Sequence, residues 1–123
     1  MITIKTGNAP SAVGPYSQAK ISGNRIYTSG QIALSPITNS IEEITIEGQT
    51  IQVCENIKAI LEEAGSSLNK VIKTTCYLKH MTDFDSFNKV YAQYFITKPA
   101  RSCIGVAGLP KNALVEIEVI AEK

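Results

Sequence analysis

Two stretches near the C-terminus, residues 99–106 and 114–120, constrain the fold more than any other part of the sequence. Both are rich in β-branched residues, and the compact turn at residues 108–112 between them predicts two adjacent strands. Alternation with a period of two gives each strand an apolar face and a polar face. The polar face is predicted to carry one guanidinium, one thiol and two carboxylates, namely Arg101, Cys103, Glu116 and Glu118.

The apolar face of these strands is predicted to pack into the core. Its members are Ser102, Ile104 and Val106 in the first strand and Val115, Ile117, Val119 and Ala121 in the second. The polar face can be solvated, line a pocket or form a subunit interface. From these stretches alone, a solvated face with a surface ion pair fits as well as a pocket, because exposed ion pairs are common and weakly stabilising.

Composition predicts one folded domain spanning residues 1–123. The chain is 44% hydrophobic, which is enough for a core and argues against disorder. Its formal net charge is +1 and no run of Lys or Arg occurs, which argues against a nucleic-acid partner. The N-terminus is too short and polar for a signal peptide and no stretch approaches a membrane span, so we expect a soluble, cytoplasmic protein.

The cysteines and the histidine do not form a metal-binding pattern. Cys54, Cys76 and Cys103 are odd in number and widely spaced, which indicates a reducing compartment and argues against a disulfide framework or a zinc site. His80 has no Cys, Asp or second His at ligand spacing and is interpreted as a loop residue. No metal ligand is therefore predicted.

The order of predicted elements is β-β-β-α-β-α-β-β. Strands are expected at residues 2–5, 18–22, 25–32, 71–79, 99–106 and 114–120, and helices at residues 46–64 and 84–95. The first helix has Thr45 as a plausible N-cap and Gly65 as a left-handed C-cap, and the second follows a capping signal at residues 82–85. This order predicts an α+β fold in which a mainly antiparallel sheet carries two helices on one face.

Four residues outside the two C-terminal strands are candidates for binding, each with a plain structural alternative. Tyr16 lies in a loop constrained by two prolines and a glycine, or is simply a half-buried surface residue. Ser29 and Gly30 end a strand, where the glycine indicates the approach of a ligand or an edge bulge. Asn88, in mid-helix, either hydrogen-bonds a neighbouring loop or faces water.

The sheet face opposite the helices is mixed in character and uncovered. It is predicted to carry Tyr27, Ser29, Lys73, Thr75, Tyr77, Arg101, Cys103, Glu116 and Glu118. Such a face can be buried only by self-association, so the sequence predicts contact between copies of the chain at this face.

These segments together resemble the reactive intermediate deaminase family (RidA type, YjgF-like) over almost the whole chain. The matching motifs are Gly-Pro-Tyr-Ser-Gln-Ala at 14–19, Ser-Gly-Gln at 29–31, residues 56–68 and 71–75, Asn88 with Tyr91, Pro-Ala-Arg-Ser-Cys at 99–103, Leu-Pro-Lys at 109–111 and Glu-Ile-Glu at 116–118. The Arg-Ser-Cys segment followed by Glu-Ile-Glu is the most specific of them. Asn39 and Asn112 stand where the family usually has glycine, and asparagine tolerates the left-handed conformation that such turns need.

The resemblance implies a chorismate-mutase-like α+β domain that forms a homotrimer with active sites between subunits. It also implies cofactor-free hydrolysis of 2-imino acids, such as 2-iminobutanoate and 2-iminopropanoate, to 2-oxo acids and ammonia. Arg101 would bind the substrate carboxylate, and Glu116 would activate water and transfer protons. Tyr16 and Asn88 match positions that line the cleft, and Ser29 would contribute to the same wall. Backbone groups around Gly30 and Cys103 would hold substrate or water, and Cys103 is given a backbone or packing role because no histidine partners it.

Two other classes of function are also compatible with the sequence. A binding or regulatory module for small 2-oxo acids would use Arg101 without needing Glu116. Relatives in this family are also described as translation inhibitors with ribonuclease activity, against which the neutral charge of this chain argues.

Overall fold

The protein is described by a computed structural model that covers residues 1–123. The strands are β1 (Ile2–Ile4), β2 (Ala19–Ser22), β3 (Arg25–Thr28), β4 (Val71–Leu78), β5 (Ala100–Gly105) and β6 (Val115–Glu122). The helices are α1 (Ile46–Glu63) and α2 (Phe84–Tyr94). One six-stranded sheet has the order β1-β2-β3-β6-β4-β5, and only the β4–β5 pair is parallel. The predicted α+β fold with a mainly antiparallel sheet is confirmed.

The prediction that β5 and β6 are adjacent is wrong, because β4 lies between them. Helix α2 connects β4 to β5, and a connection of this kind returns the chain parallel to the strand that it left. The chain then crosses over β4 through residues 106–114 before β6 begins. Within that connection Lys111 and Asn112 both have positive φ angles, 55° and 57°. The segment between β5 and β6, which the sequence suggests is a hairpin turn, therefore passes over β4 and joins two strands that are not adjacent.

The predicted face of β5 is also wrong. Arg101 pairs with Thr74, and Cys103 pairs with Cys76; Thr74 and Cys76 are fully buried on the helix side of the sheet. Arg101 and Cys103 therefore lie on the helix side, and Ile104, predicted in the core, is 48% exposed on the other side. The physical reason is that β5 is an edge strand, where a mostly exposed pattern of residues carries little information about which face is inward.

Helix α1 begins and ends as predicted. Thr45 Oγ1 accepts a hydrogen bond from the Gly48 amide at 3.0 Å, and Gly65 follows the helix with a φ of 81°. Apolar residues recur at helical spacing along α1 in the sequence and form a stripe that is buried throughout, namely Val53, Cys54, Ile57, Ile60, Leu61 and Ala64. Helix α2 differs, because a 3₁₀ turn at Met81–Asp83 precedes it and no side chain caps its first turn.

Strand β4 contains an irregularity that shifts its inward face. The pairing with β6 slips between Val71 and Lys73, so Val71 is buried and Ile72 is 37% exposed, although strict alternation with Lys73 would turn Ile72 inward. Beyond the slip, Thr74, Cys76 and Leu78 face the helices as predicted. Asn39 and Asn112 both adopt a φ of 57°, which confirms that asparagine serves in these two left-handed positions.

The two helices pack on one face of the sheet, and the other face is open. Glu116 and Glu118 project from β6 on this open face and pair with Tyr77 and Thr75 of β4. Tyr27, Ile104 and Ile120 also lie on it, and none of them is buried. None of the helices is both long and apolar enough to cross a membrane.

Candidate active site

The predicted site residues fall into two groups, of which the first surrounds Glu116. A cavity of about 300 Å³, here called the Glu116 pocket, is lined by Tyr16, Ser29, Gly30, Lys111 and Glu116 together with Pro10, Ser11, Val13, Gln31, Ile32, Leu34 and Pro110. It forms because β3 ends at Thr28 and the chain then bends toward β6. Gln31 and Ile117 exchange two backbone hydrogen bonds of 2.9 and 3.1 Å, which fixes Gly30 beside Glu116.

The carboxyl group of Glu116 lies directly against the backbone at Gly30. A β-carbon placed on Gly30 would be 2.8 Å from the Glu116 carboxyl carbon, so any larger residue would displace that carboxyl group. The absence of a side chain at Gly30 therefore lets the carboxyl group take its present position, and no left-handed φ angle requires the glycine.

Ser29 and Tyr16 belong to the wall of the same pocket. The Ser29 hydroxyl donates to the Ser17 carbonyl at 2.6 Å, and the Ser29 amide donates to the Gln18 carbonyl at 2.9 Å. These bonds tie the loop that carries Tyr16 to the end of β3. Tyr16 is 48% exposed at the pocket opening, so its ring is free to contact a ligand.

Electrostatics in this pocket favour proton exchange by Glu116. Burial raises the pKa of the Glu116 carboxyl above its usual range, and the negative charge of Glu118 raises it further. Glu118 is itself hydrogen-bonded, since the Tyr77 hydroxyl donates to its Oε1 at 2.7 Å. That hydrogen bond, with smaller contributions from burial and from the charges of Glu118 and Glu116, raises the pKa of Tyr77 to about 12.

The second group surrounds Arg101 on the helix side of the sheet. Arg101 Nη1 donates to Asn88 Oδ1 at 2.7 Å, and the guanidinium carbon lies 4.8 Å from the centre of the Tyr91 ring. The Phe84 and Phe87 rings are also close, at 5.6 and 6.0 Å. A cavity of about 310 Å³, here called the Arg101 pocket, is lined by Asn88, Tyr91, Ala92, Phe95, Ile96, Lys98, Pro99 and Arg101.

Helix α2 holds the guanidinium in place through its periodicity. Phe84, Asn88 and Tyr91 are spaced at i, i+4 and i+7, so they share one face of the helix, and this face covers Arg101. Tyr91 is fixed in turn by a 2.7 Å hydrogen bond between its hydroxyl and that of Thr74, inside the core. The sequence motifs singled out Asn88 with Tyr91 but assigned no contact with Arg101 to Tyr91 or Phe84, although the spacing of both relative to Asn88 was visible.

Cys103 lines neither pocket. It packs against the core, and burial raises the pKa of its thiol, while the nearby positive charge of Arg101 opposes that change. A thiol with a raised pKa is a poor nucleophile near neutral pH. No cluster of three or more His, Cys, Asp or Glu residues that could hold a metal ion is present.

The structure therefore brings Tyr16, Ser29, Gly30 and Glu116 together on one side of the sheet, and Asn88 with Arg101 on the other. Arg101 and Glu116 do not meet within one chain, because Arg101 faces the helices and Glu116 faces away from them. Sequence reasoning also missed Lys111, which lines the Glu116 pocket. Lys111 is the last residue of the Leu-Pro-Lys motif at 109–111, and this motif was the sequence feature that could have identified it.

Comparison with known proteins covers nearly the full chain. The chain is 55% identical over 123 residues to a Lactococcus lactis protein named as a regulator, AldR, with 99% of this chain and 98% of that protein covered. It is 45% identical over 123 residues to the 2-iminobutanoate/2-iminopropanoate deaminase of Salmonella typhimurium, with 97% and 95% covered.

Solved structures agree with this similarity. Escherichia coli TdcF with bound serine superposes with a TM-score of 0.96 at 40% identity, with 100% of this chain and 99% of that chain covered. The family model described as endoribonuclease L-PSP matches residues 6–123. On its sequence, its fold and its site motifs, the chain belongs to the RidA (YjgF/RutC) family.

Proposed function

We propose that this protein is a deaminase that hydrolyses 2-imino acids, such as 2-iminobutanoate and 2-iminopropanoate, to 2-oxo acids and ammonia. The observation that carries the proposal is the presence in one chain of two half-sites, a guanidinium fixed by Asn88 and a carboxyl group without a hydrogen bond that lies against Gly30. The first suits a planar carboxylate, and the second suits proton transfer to and from water. The similarity to a deaminase of that name supports the same reaction.

The site is completed by a second copy of the chain. Because Arg101 and Glu116 face opposite sides of the sheet, a small substrate cannot contact both within one protomer. An arrangement in which the open face of one protomer meets the β5 edge of the next brings the two pockets together. Burial in such a homotrimer would also cover the large side chains that the open face leaves accessible. They are the half-buried Tyr77 and Ile120 and, at the β5 edge, the exposed Ile104.

Arg101 binds the substrate carboxylate. Only one of its five N–H donors is engaged within the chain, by Asn88, so a bidentate contact remains available. The rings of Phe84, Phe87 and Tyr91 hold the guanidinium by cation–π contact and limit its rotation. The substrate is thereby oriented with its imine carbon toward the Glu116 pocket of the neighbouring protomer.

Glu116 moves the protons of the hydrolysis. As a carboxylate it takes a proton from water while the water oxygen bonds to the carbon of the protonated imine, giving a carbinolamine. It then returns this proton to the nitrogen, and the C–N bond breaks to release ammonia and the protonated oxo group, which passes its proton to Glu116 or to solvent. The raised pKa of Glu116 suits both steps, since a group that titrates closer to neutral pH is a stronger base and still gives the proton back. Water is the only co-reactant.

The test is a coupled assay in which an amino-acid oxidase generates the imine in the presence of semicarbazide. An active protein competes with semicarbazide and lowers the yield of the trapped adduct. Arg101→Ala and Glu116→Gln are then each expected to be inactive alone. Refolded together, they should recover activity at about a quarter of the sites, because random mixing gives one in four interfaces an intact Arg101 and an intact Glu116.

No recovery from the mixture would contradict a site shared between copies, and no effect of the wild-type protein on the adduct would contradict the deaminase proposal. The family description also mentions ribonuclease activity, and titration with RNA at two salt concentrations measures whether the protein binds RNA, as that activity requires. Tight binding of 2-oxobutanoate without any imine hydrolysis would instead favour a regulatory module, in line with the relative named as a regulator.

A further inference from the structure

Glu118 and Tyr77 form a polar pair next to Glu116 that the proposed mechanism does not use. Glu116 and Glu118 are two residues apart on β6, so both project from the open face with their Cα atoms about 7 Å apart. Tyr77 is the cross-strand partner of Glu116 on β4, yet its hydroxyl reaches diagonally and donates to Glu118 at 2.7 Å. Both carboxylates contribute to the electrostatic environment of Tyr77, so the three groups are close together.

The hydrogen bond leaves the two carboxyl groups with different environments. Glu118 is held by the Tyr77 hydroxyl, whereas the carboxyl group of Glu116 accepts no hydrogen bond within the chain and lies against Gly30 in the pocket. The other ionisable groups on the open face are Tyr16 and Lys111 in the pocket wall, Lys73 on β4, and Lys20, Arg25, Tyr27 and Glu122 farther across the sheet. None of these groups raises the pKa of the Glu116 carboxyl, which is raised by burial and by the charge of Glu118.

We propose that Glu118, fixed by the Tyr77 hydroxyl, is a positioning residue whose negative charge makes Glu116 a stronger base and a ready proton donor. The inference deepens the proposed function and rests on it. In this arrangement the tyrosine keeps the charge of Glu118 at a fixed distance from Glu116. Glu118 itself stays out of the reaction, and the protons move only between Glu116, water and the nitrogen and oxygen atoms of the substrate.

The test uses two variants and a matched control. Glu118→Gln removes the charge and keeps the side-chain shape, and Tyr77→Phe removes only the hydroxyl. Glu122→Gln is the control, because Glu122 is an exposed carboxylate on the same strand and the same side of it, about 20 Å from Glu116. The first readout is the titration of the Glu116 carboxyl carbon by NMR in protein labelled with ¹³C-glutamate, with Glu116→Gln used to assign its signal. The second readout is the pH profile of imine hydrolysis.

In Glu118→Gln we expect the Glu116 titration midpoint to move to lower pH, and the acid limb of the kcat/KM profile to move with it. Near neutral pH, kcat is expected to fall by roughly 3- to 10-fold, with KM changed by less than about twofold, because Glu116 becomes a weaker base while Arg101 is untouched. Tyr77→Phe should shift both readouts in the same direction and by less. Glu122→Gln should match the wild type.

The outcomes separate this inference from the proposed function. If the wild type hydrolyses imines and neither the Glu116 titration nor the acid limb moves in Glu118→Gln, the role of Glu118 is overturned and the deaminase proposal stands. If Glu122→Gln shifts the titration as much as Glu118→Gln, the effect is one of net charge and the role of Glu118 is again overturned. If the wild type is inactive, the proposed function fails, whatever the titration shows.

Discussion

Thr74 and Arg101 lie directly opposite one another in the parallel pairing of β4 with β5, and this register places the guanidinium on the helix side of the sheet. There it meets Asn88 and the aromatic face of α2. A register shifted by one residue would turn Arg101 to the open face, the side that carries Glu116. The separation of the proposed carboxylate-binding group from the proposed acid–base group follows from this pairing, and it is the reason for proposing that a second chain completes the site.

The first prediction concerns the shape of the cation at position 101. Arg101→Lys keeps the charge but loses the planar fork and the stacking on Tyr91, so it should weaken binding of a 2-oxo acid and lower turnover by roughly 10- to 150-fold. Calorimetric titration with 2-oxobutanoate and the coupled assay measure the two effects. Arg25→Lys, at the exposed arginine of β3, is the matched control. Near-normal affinity and turnover in Arg101→Lys would contradict a bidentate contact.

The second prediction concerns the space beside Glu116. Gly30→Ala places a methyl group where the carboxyl group now lies, so Glu116 must move by a fraction of an ångström to about one ångström. Misplacement on that scale should lower kcat by about 10²-fold. The thermal midpoint should change little by comparison, since the backbone at Gly30 is compatible with alanine.

The control for this prediction is Gly108→Ala. A β-carbon at Gly108 meets nothing within 4 Å, and Gly108 is not in a left-handed conformation. It should keep both activity and stability. If Gly30→Ala hydrolyses imines at the wild-type rate, then Glu116 does not need its present position, and its proposed role in proton transfer is wrong.

The third prediction concerns the buried hydrogen bond behind Arg101. Thr74→Val keeps the side-chain shape but leaves the Tyr91 hydroxyl without its partner, at a cost of about 1–3 kcal/mol in the free energy of unfolding. Adding Tyr91→Phe removes the stranded hydroxyl, so the double variant should recover part of this loss. Urea denaturation of the two single variants and the double variant gives the coupling energy. Strictly additive losses would show that the two hydroxyls do not interact in solution.

The sequence predicted the helices and most of the strands because their local signals agree with their tertiary environment. In α1 the cap at Thr45, the apolar stripe through Ile57 and the turn at Gly65 all indicate the same helix, and all are present. Glu116 and Glu118 alternate with buried neighbours in a central strand, so the open face of β6 was predicted correctly.

The errors lie where local signals are weak. On the edge strand β5 only half-buried and exposed residues alternate, so the apolar Ile104 was assigned to the core and Arg101 to the open face. The pairing of β5 with β4 depends on the crossover through α2, which no local pattern encodes. For the same reason the two halves of the proposed site were placed on one face of one chain, whereas the structure places them on opposite faces.

The fourth prediction concerns both catalysis and stability at Glu116. Glu116→Gln keeps the size of the side chain and removes its ability to exchange a proton, so imine hydrolysis should fall by roughly 10²- to 10⁴-fold. Binding of a 2-oxo acid should change much less, since Arg101 is untouched. Activity within a few-fold of wild type would assign proton transfer to another group.

The same variant should be more stable than the wild type at neutral pH. The folded-state pKa of Glu116 lies above its unfolded value, chiefly because of burial, so the folded protein favours the protonated form. Any stability that this group contributes is present below the unfolded pKa, near 4.3, and is lost as the pH rises through the folded pKa. The free energy of unfolding of Glu116→Gln should thus match that of the wild type near pH 4 and exceed it increasingly toward pH 7. Urea denaturation of both proteins across this range measures the difference, in which the titration of the carboxyl groups distant from Glu116 cancels. A constant difference, or one that shrinks as the pH rises, would mean that the Glu116 carboxyl is as easily ionised in the folded protein as in the unfolded chain.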